Sequence, residues 1–280
     1  MSIRIITDSA SDLAMAPRED VTILPMFVRF GDEEYRDGID ITAQRFYEMM
    51  VESDELPKTS QITPDVFSTA FRAAVDNGET VVAVIMSSKL SGTYQSAVIA
   101  AEEFEGKVFV VDSLSVAIGE KALVAMALEL KDRGLSAQEI AETLDREKQK
   151  LKLIALVDTL EYIEKGGRIS KTAAVIGGVL GIRPVIEIRD GEVAVLGKAR
   201  GSKNANNLLI ESIKKAGGID FDKPLFLGYT GLSDSMLQKY IADSEPLWRG
   251  HDLSGRCGII GATIGTYAGP GAVAVAFFGV

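Results

Sequence analysis

The stretch Val81–Ala97, VVAVIMSSKLSGTYQSA, decides the fold, because in it an apolar strand passes into a helix through a loop of serine, glycine and threonine. Val81 to Met86 are apolar without interruption, the pattern of a strand covered on both faces, as in a parallel sheet packed between helices. Ser87, Ser88, Ser91, Gly92 and Thr93 then place hydroxyls and amides at the carboxyl end of that strand. Ser91 stands where it can cap a helix running through Tyr94, Ala97 and Ala100. A helix N-terminus with free N–H groups attracts an anion. From this loop alone, an anion site and an ordinary βα turn with a capping serine are equally good readings.

The segments on either side repeat the arrangement. Ile3–Thr7 runs into Asp8-Ser9-Ala10-Ser11-Asp12, and Val108–Val111 into Asp112-Ser113-Leu114-Ser115. In open α/β sheets ligands bind beyond the carboxyl ends of the strands, so three such loops that converge point to a polar site. Asp8 and Asp112 read as caps or loop braces in preference to catalytic bases. Between these units, Val21–Phe30 reads as one strand and Ala43–Ser53 as a helix. A proline-framed loop covers Pro57–Pro64, and the next helix sets Val66, Phe67, Ala70, Phe71, Ala74 and Val75 on one face. Helices over Gly119–Leu130 and about Ala137–Lys150 close the first half.

At Leu153 the character changes. A strand, Leu153–Val157, leads to a helix ending at Gly166-Gly167, with Arg168 just past the pair. Ala173–Gly181 is uncharged and rich in small residues, which suits core packing or the wall of a ligand tunnel. Pro184–Ile188 and Val193–Leu196 flank Arg189-Asp190-Gly191-Glu192, a hairpin signal. Lys198, Arg200 and Lys203 form a basic cluster. Helix Asn204–Ala216, strand Leu225–Tyr229, helix Ser233–Asp243 and strand Ala272–Phe278 complete the chain. The expectation is an α/β protein of two domains, 1–152 with a mainly parallel sheet flanked by helices and 153–280 with a mixed sheet and helices.

With 280 residues, 46% of them hydrophobic, the chain can bury a sizeable core. Its formal charge of -10 argues against binding nucleic acid or an anionic membrane surface. Neither a signal peptide nor a membrane span is evident, and the expected location is cytoplasmic. Cys257, the only cysteine, allows no internal disulfide and reads as a small buried residue. His251, the only histidine, lies in a polar loop and reads as solvated, which removes metal sites built on several histidines.

Taken in order, TDSASDL, PKTSQITP, SSKLSGTYQSA, VVDSLS, LEYIEKGGRISK, KARGSKNA and GTYAGPGA resemble the motifs of the DegV family over essentially the whole chain. That resemblance implies a fatty-acid-binding protein, several members serving as the binding subunit of a fatty acid kinase, with the acyl chain in a tunnel. It implies that the carboxylate is held by Thr59 and Ser91, with the amides of Ser60 and Gly92 close by. Arg168 and Arg200 would belong to the face that meets the kinase or the phosphate. Many members carry a histidine near the headgroup where this chain has Tyr267. A phenol donates a hydrogen bond to a carboxylate but does not take up a proton as imidazole does. No metal or cofactor is implied beyond the fatty acid, and the implied partners are a long-chain fatty acid and a separate kinase, since the chain shows no P-loop or kinase signature.

Two other readings remain open at this point. A hydrolase or phosphotransferase would use Ser91 as nucleophile with Asp8, Asp112 or Lys89 nearby, although it would lack a histidine base. A lipid-responsive regulatory protein would expose Arg168 and Arg200 to some other partner.

Overall fold

The computed structural model of the protein describes residues 2–13, 18–53, 55–169 and 182–280. The stretch Ala173–Gly181, read above as core packing or a tunnel wall, lies outside the described residues. The strands are β1 (Ile3–Asp8), β2 (Val21–Leu24), β3 (Phe27–Phe30), β4 (Glu33–Arg36), β5 (Lys58–Ser60), β6 (Thr80–Ile85), β7 (Val108–Asp112), β8 (Leu151–Leu156), β9 (Ile182–Arg189), β10 (Glu192–Arg200), β11 (Phe226–Tyr229), β12 (Cys257–Ile259) and β13 (Val273–Phe278).

The first half is built on a parallel sheet of order β2-β1-β6-β7. Val81 to Ile85 are all fully buried, as an uninterrupted apolar run between helical layers requires. On one face, Phe67 and Phe71 of helix Pro64–Asp76 pack with Ala97 and Ala100 of helix Thr93–Ala101. On the other, Leu123 and Ala127 of helix Ala117–Asp132 pack with Ile140 and Leu144 of helix Ala137–Glu147. Parallel strands in this order bring the three serine-bearing loops to one sheet edge. They are stitched together there: Asp8 Oδ2 accepts from Met86 N at 3.0 Å, Asp112 Oδ1 from Ser88 N at 3.1 Å, and Ser115 O from Ser87 N at 2.8 Å.

The second half carries a mixed sheet of order β10-β9-β8-β13-β11-β12. Helices Ser202–Lys215 and Ser235–Asp243 cover one face around Leu209, Leu237 and Tyr240. The turn of the β9–β10 hairpin is made by Asp190 and Gly191, both at positive φ, the geometry that the twist of a two-residue hairpin demands. Its tip reaches the first half, where Ser87 Oγ donates to Gly191 O at 2.7 Å.

Four expectations are corrected. Val21–Phe30 is two strands in different sheets, broken at Pro25-Met26; proline has no N–H to continue the ladder. The proline-framed loop contains β5, which with β3 and β4 forms a small antiparallel sheet of order β4-β3-β5. Ser91 stands one residue before the helix cap, which is Gly92, and its Oγ accepts from Thr93 N at 3.2 Å. Cys257 is exposed, because β12 is an edge strand. His251 does lie in an exposed loop, with its ring stacked on Phe221 at 3.5 Å.

Candidate functional site

Between the parallel sheet's loops and the mixed sheet lies an apolar hollow of about 770 Å³, its open mouth included. Met86, Leu90 and Val116 come to it from the first half, and Ala155, Ile186 and Ala274 from the mixed sheet. Ala155 on β8 and Ala274 on β13 are register partners, so two methyl groups stand side by side where larger residues would fill the space.

Arg168 and Tyr267 line this hollow and also a polar one, open to solvent, to which Lys58, Thr59, Tyr162 and Lys165 contribute. They therefore stand between an apolar interior and a basic exterior. Tyr267 OH is 2.6 Å from Thr59 Oγ1. The Arg168 guanidinium lies over the Tyr267 ring at 4.7 Å, a cation–π contact, and its Nε donates to Leu90 O at 3.3 Å. Leu90 precedes Ser91, whose Oγ is 2.9 Å from Thr93 Oγ1. Thr93 Oγ1 in turn accepts from Ile62 N at 3.4 Å, three residues on from Thr59. Thr59, Tyr267, Arg168 and Leu90 thus form a run of contacts at the mouth, while Ser91, Gly92 and Thr93 line neither hollow and adjoin that run through Leu90 and Ile62. When Thr93 donates to Ser91, the Ser91 hydroxyl hydrogen is free to point at a ligand. Gly92 N–H has no acceptor among the described residues.

Local sequence explains how this run of contacts is assembled. Helix Glu161–Lys165 ends in a Schellman motif: Gly167, at φ +73°, donates to Glu164 O at 2.9 Å, and Arg168 N donates to Ile163 O at 3.0 Å. This sharp stop turns Arg168 back across the helix end, where its Nη1 also bonds Gly166 O at 2.6 Å. Gly166 has an ordinary φ of -74°, so its smallness has another cause. A Cβ there would sit 2.5 Å from Tyr267 Cδ1. We expect Gly166→Ala to lower stability by about 1–3 kcal/mol through overpacking and to displace the Tyr267 ring. Thermal unfolding checks this, and an unchanged melting temperature would contradict it.

Of the residues singled out from sequence, Thr59, Tyr267 and Arg168 meet, and Ser91 and Gly92 adjoin them through Leu90 and Thr93. Ser60 follows Thr59 on β5. Arg200 does not join them: it is exposed at the end of the edge strand β10, opposite Ile182, and lines neither hollow. Asp8 and Asp112 hold backbone amides, Asp8 also accepting from Ala10 N at 2.9 Å and Asp112 from Leu114 N at 3.0 Å. Sequence reasoning missed Gln61, whose side chain fills the space beside Gly92, and the glycine at 166. It also missed Asp12 and Asp37. Behind the loops, burial raises the carboxyls of Asp8 (to about 7), Asp12, Asp37 and Glu120 above the ordinary range.

Among the described residues no helix is long and apolar enough to cross a membrane. Fold and site together define a class: an α/β protein of two larger sheets and a small third, with an apolar cavity whose mouth carries the Thr59 hydroxyl, the Tyr267 phenol and the Arg168 guanidinium. The chain belongs to the DegV family, whose description reads "Uncharacterised protein, DegV family" and which matches residues 2–279. A DegV domain-containing protein of Caldanaerobacter subterraneus subsp. tengcongensis is 33% identical over 280 residues, covering 98% of each chain. A fatty-acid-binding DegV family protein from Thermus thermophilus shares the whole fold, with a TM-score of 0.87, 29% identity and complete coverage of both chains. The fatty acid kinase (Fak) B3 protein of Streptococcus pneumoniae, solved loaded with linoleic acid, gives a TM-score of 0.85 at 25% identity over 99% of each chain.

Proposed function

We propose that this protein binds a long-chain fatty acid and presents its carboxylate to a separate kinase for conversion to an acyl phosphate. On this reading the first domain, to about residue 152, carries the carboxylate-binding loops, and the second covers the acyl chain. The observation that carries it is the apolar cavity ending at Tyr267, whose hydroxyl meets Thr59. The likeness to proteins solved with fatty acids supports the choice of ligand, and the likeness to a fatty acid kinase B protein supports the choice of partner.

The carboxylate sits among the hydroxyls of Thr59, Ser91 and Tyr267 and the amides of Ser60 and Gly92. Burying it costs several kcal/mol, and each charge-assisted hydrogen bond returns about 1.5–3 kcal/mol, so the headgroup contacts roughly offset its desolvation and set orientation. Affinity comes from the tail. At about 0.8 kcal/mol per buried CH₂, a chain of roughly 14 to 18 carbons contributes on the order of 12 kcal/mol, against about 4–15 kcal/mol for lost freedom. Arg168, at the rim, and Arg200, on an exposed strand end, serve the kinase or the phosphate, and the protein works in the cytoplasm as a binding subunit without catalysis of its own. Asp8 and Asp112, spent on backbone amides, are poor candidates for a base beside Ser91.

Calorimetric titration of delipidated protein with hexadecanoic acid tests this directly. Thr59→Val and Tyr267→Phe each weaken binding by about tenfold or more, the worth of one hydrogen bond to a charged group. Unchanged affinity in both variants would overturn the headgroup assignment.

A further inference from the structure

The helix Ala262–Ala268 belongs to the second half of the chain, yet its first turn is gripped by the first. Asp37 Oδ2 accepts from Thr263 N at 3.0 Å and from Thr263 Oγ1 at 2.6 Å, and its Oδ1 accepts from Ala262 N at 3.3 Å. Asp12 Oδ1 accepts from Gly261 N at 2.7 Å, and the Tyr47 hydroxyl donates to Ile260 O at 2.9 Å. The first N–H groups of a helix have no partner within it and need an outside acceptor. Here the residue at the cap, Gly261, has no side chain to offer, and the carboxylate of Asp37, 225 positions before Ala262, takes its place.

Asp37 is itself immobilised. It is 4% exposed, its N–H donates to Met26 O at 2.9 Å, and Ser9 Oγ donates to its Oδ2 at 3.2 Å while accepting from Met26 N at 3.0 Å. At the other end of the short helix, Tyr267 stands four residues after Thr263, one turn further along the same face. Its ring has little room to follow a shift, because Gly166 packs against one edge and Arg168 against a face. Rotating the first turn about the helix axis would drive the ring into Gly166 or draw its hydroxyl away from Thr59.

We propose that Asp37 is a positioning residue for the headgroup site: through Thr263 and the helix Ala262–Ala268 it holds the Tyr267 hydroxyl within reach of Thr59 and of a bound carboxylate. It touches no ligand itself. This rests on the fatty-acid reading above, and the bond network behind Thr263 is what extends that reading to a residue at the other end of the helix. Asp37→Asn keeps the shape but turns an NH₂ toward N–H or O–H donors.

A double-mutant cycle on hexadecanoic acid binding is the test. We expect Asp37→Asn to weaken binding by about tenfold, comparable to the Tyr267→Phe loss. The double variant is expected to bind no more weakly than Tyr267→Phe alone. Thr263→Ser, which keeps the hydroxyl, binds as the unaltered protein does, and Thr263→Val behaves as Asp37→Asn. A plain structural brace lowers the melting temperature in the same way, so melting temperature does not discriminate; the cycle does. Losses that multiply in the double variant would overturn the proposal, as would equal binding by Thr263→Val and Thr263→Ser. If Asp37→Asn fails to fold, Thr263→Val with and without Tyr267→Phe provides the same cycle. Unaltered protein that does not bind the acid would overturn the fatty-acid reading first, a result distinct from a multiplicative cycle.

Discussion

Ala155→Phe is expected to abolish tight binding of long acyl chains and to weaken short ones less. Ala155 and its register partner Ala274 sit side by side on the mixed sheet and face the apolar hollow. A phenyl ring at 155 occupies space that an extended chain needs. If the ring displaces about four methylenes, at about 0.8 kcal/mol each, the loss is ~3 kcal/mol, or roughly 200-fold in Kd for hexadecanoic acid. Octanoic acid, with about half as many methylenes to displace, is expected to lose less on the same arithmetic. Equal weakening of both acids would mean that the variant disturbs the mouth, and no weakening of either would mean that the tail lies elsewhere.

The second large effect concerns stability and pH. Asp8 is fully buried at the end of β1, and desolvation raises its carboxyl to about 7 despite the amides of Met86 and Ala10, which favour the charged form. An acid whose value is higher folded than unfolded holds its proton more tightly in the native state. Between the ordinary carboxyl value of 3.8 and about 7, the folded chain therefore keeps a proton that the unfolded chain has lost, and stability falls as pH rises through that window. Each pH step of one across the window is worth about 1.4 kcal/mol, so Asp8 alone contributes on the order of 4 kcal/mol between about pH 4 and pH 8. Glu120, Asp12 and Asp37, raised by burial, act in the same direction. Ligand-free protein should melt several degrees higher at pH 5.5 than at pH 8, and Asp8→Asn should flatten that slope. A variant with the same slope as the unaltered protein would show that Asp8 does not titrate in this range.

How far these features can be read from the sequence depends on how local they are. Each βα unit declares itself within about fifteen residues, because an apolar run, a hydroxyl-rich loop and a helical period follow one another directly, as they do from Val81 to Ala97. The Schellman stop at Gly166-Gly167 is equally local, and it fixes where Arg168 emerges. By contrast, Tyr267 meets Thr59 across 208 positions and Thr263 meets Asp37 across 226, contacts that no periodicity encodes. The motif resemblance names Tyr267, but nothing near Asp37 marks it as anything other than a turn residue after an acidic loop. The exposure of Cys257 is hidden for a related reason: a short apolar strand looks the same at the edge of a sheet as at its centre, and only the strand order places β12 outermost. The run Val21–Phe30 misleads because its apolar pattern continues past Pro25, while the chain uses that proline to leave one sheet for another.

The most direct test of the account is the ligand itself. Purified protein should be denatured, its small molecules extracted, and the extract weighed by mass spectrometry; the protein should then be stripped of lipid, refolded and titrated with hexadecanoic acid. The account predicts release of a fatty acid of roughly 14 to 18 carbons, the length the tail energetics call for, and rebinding of about one molecule per chain. Protein that yields no fatty acid and then fails to bind the added one would contradict it.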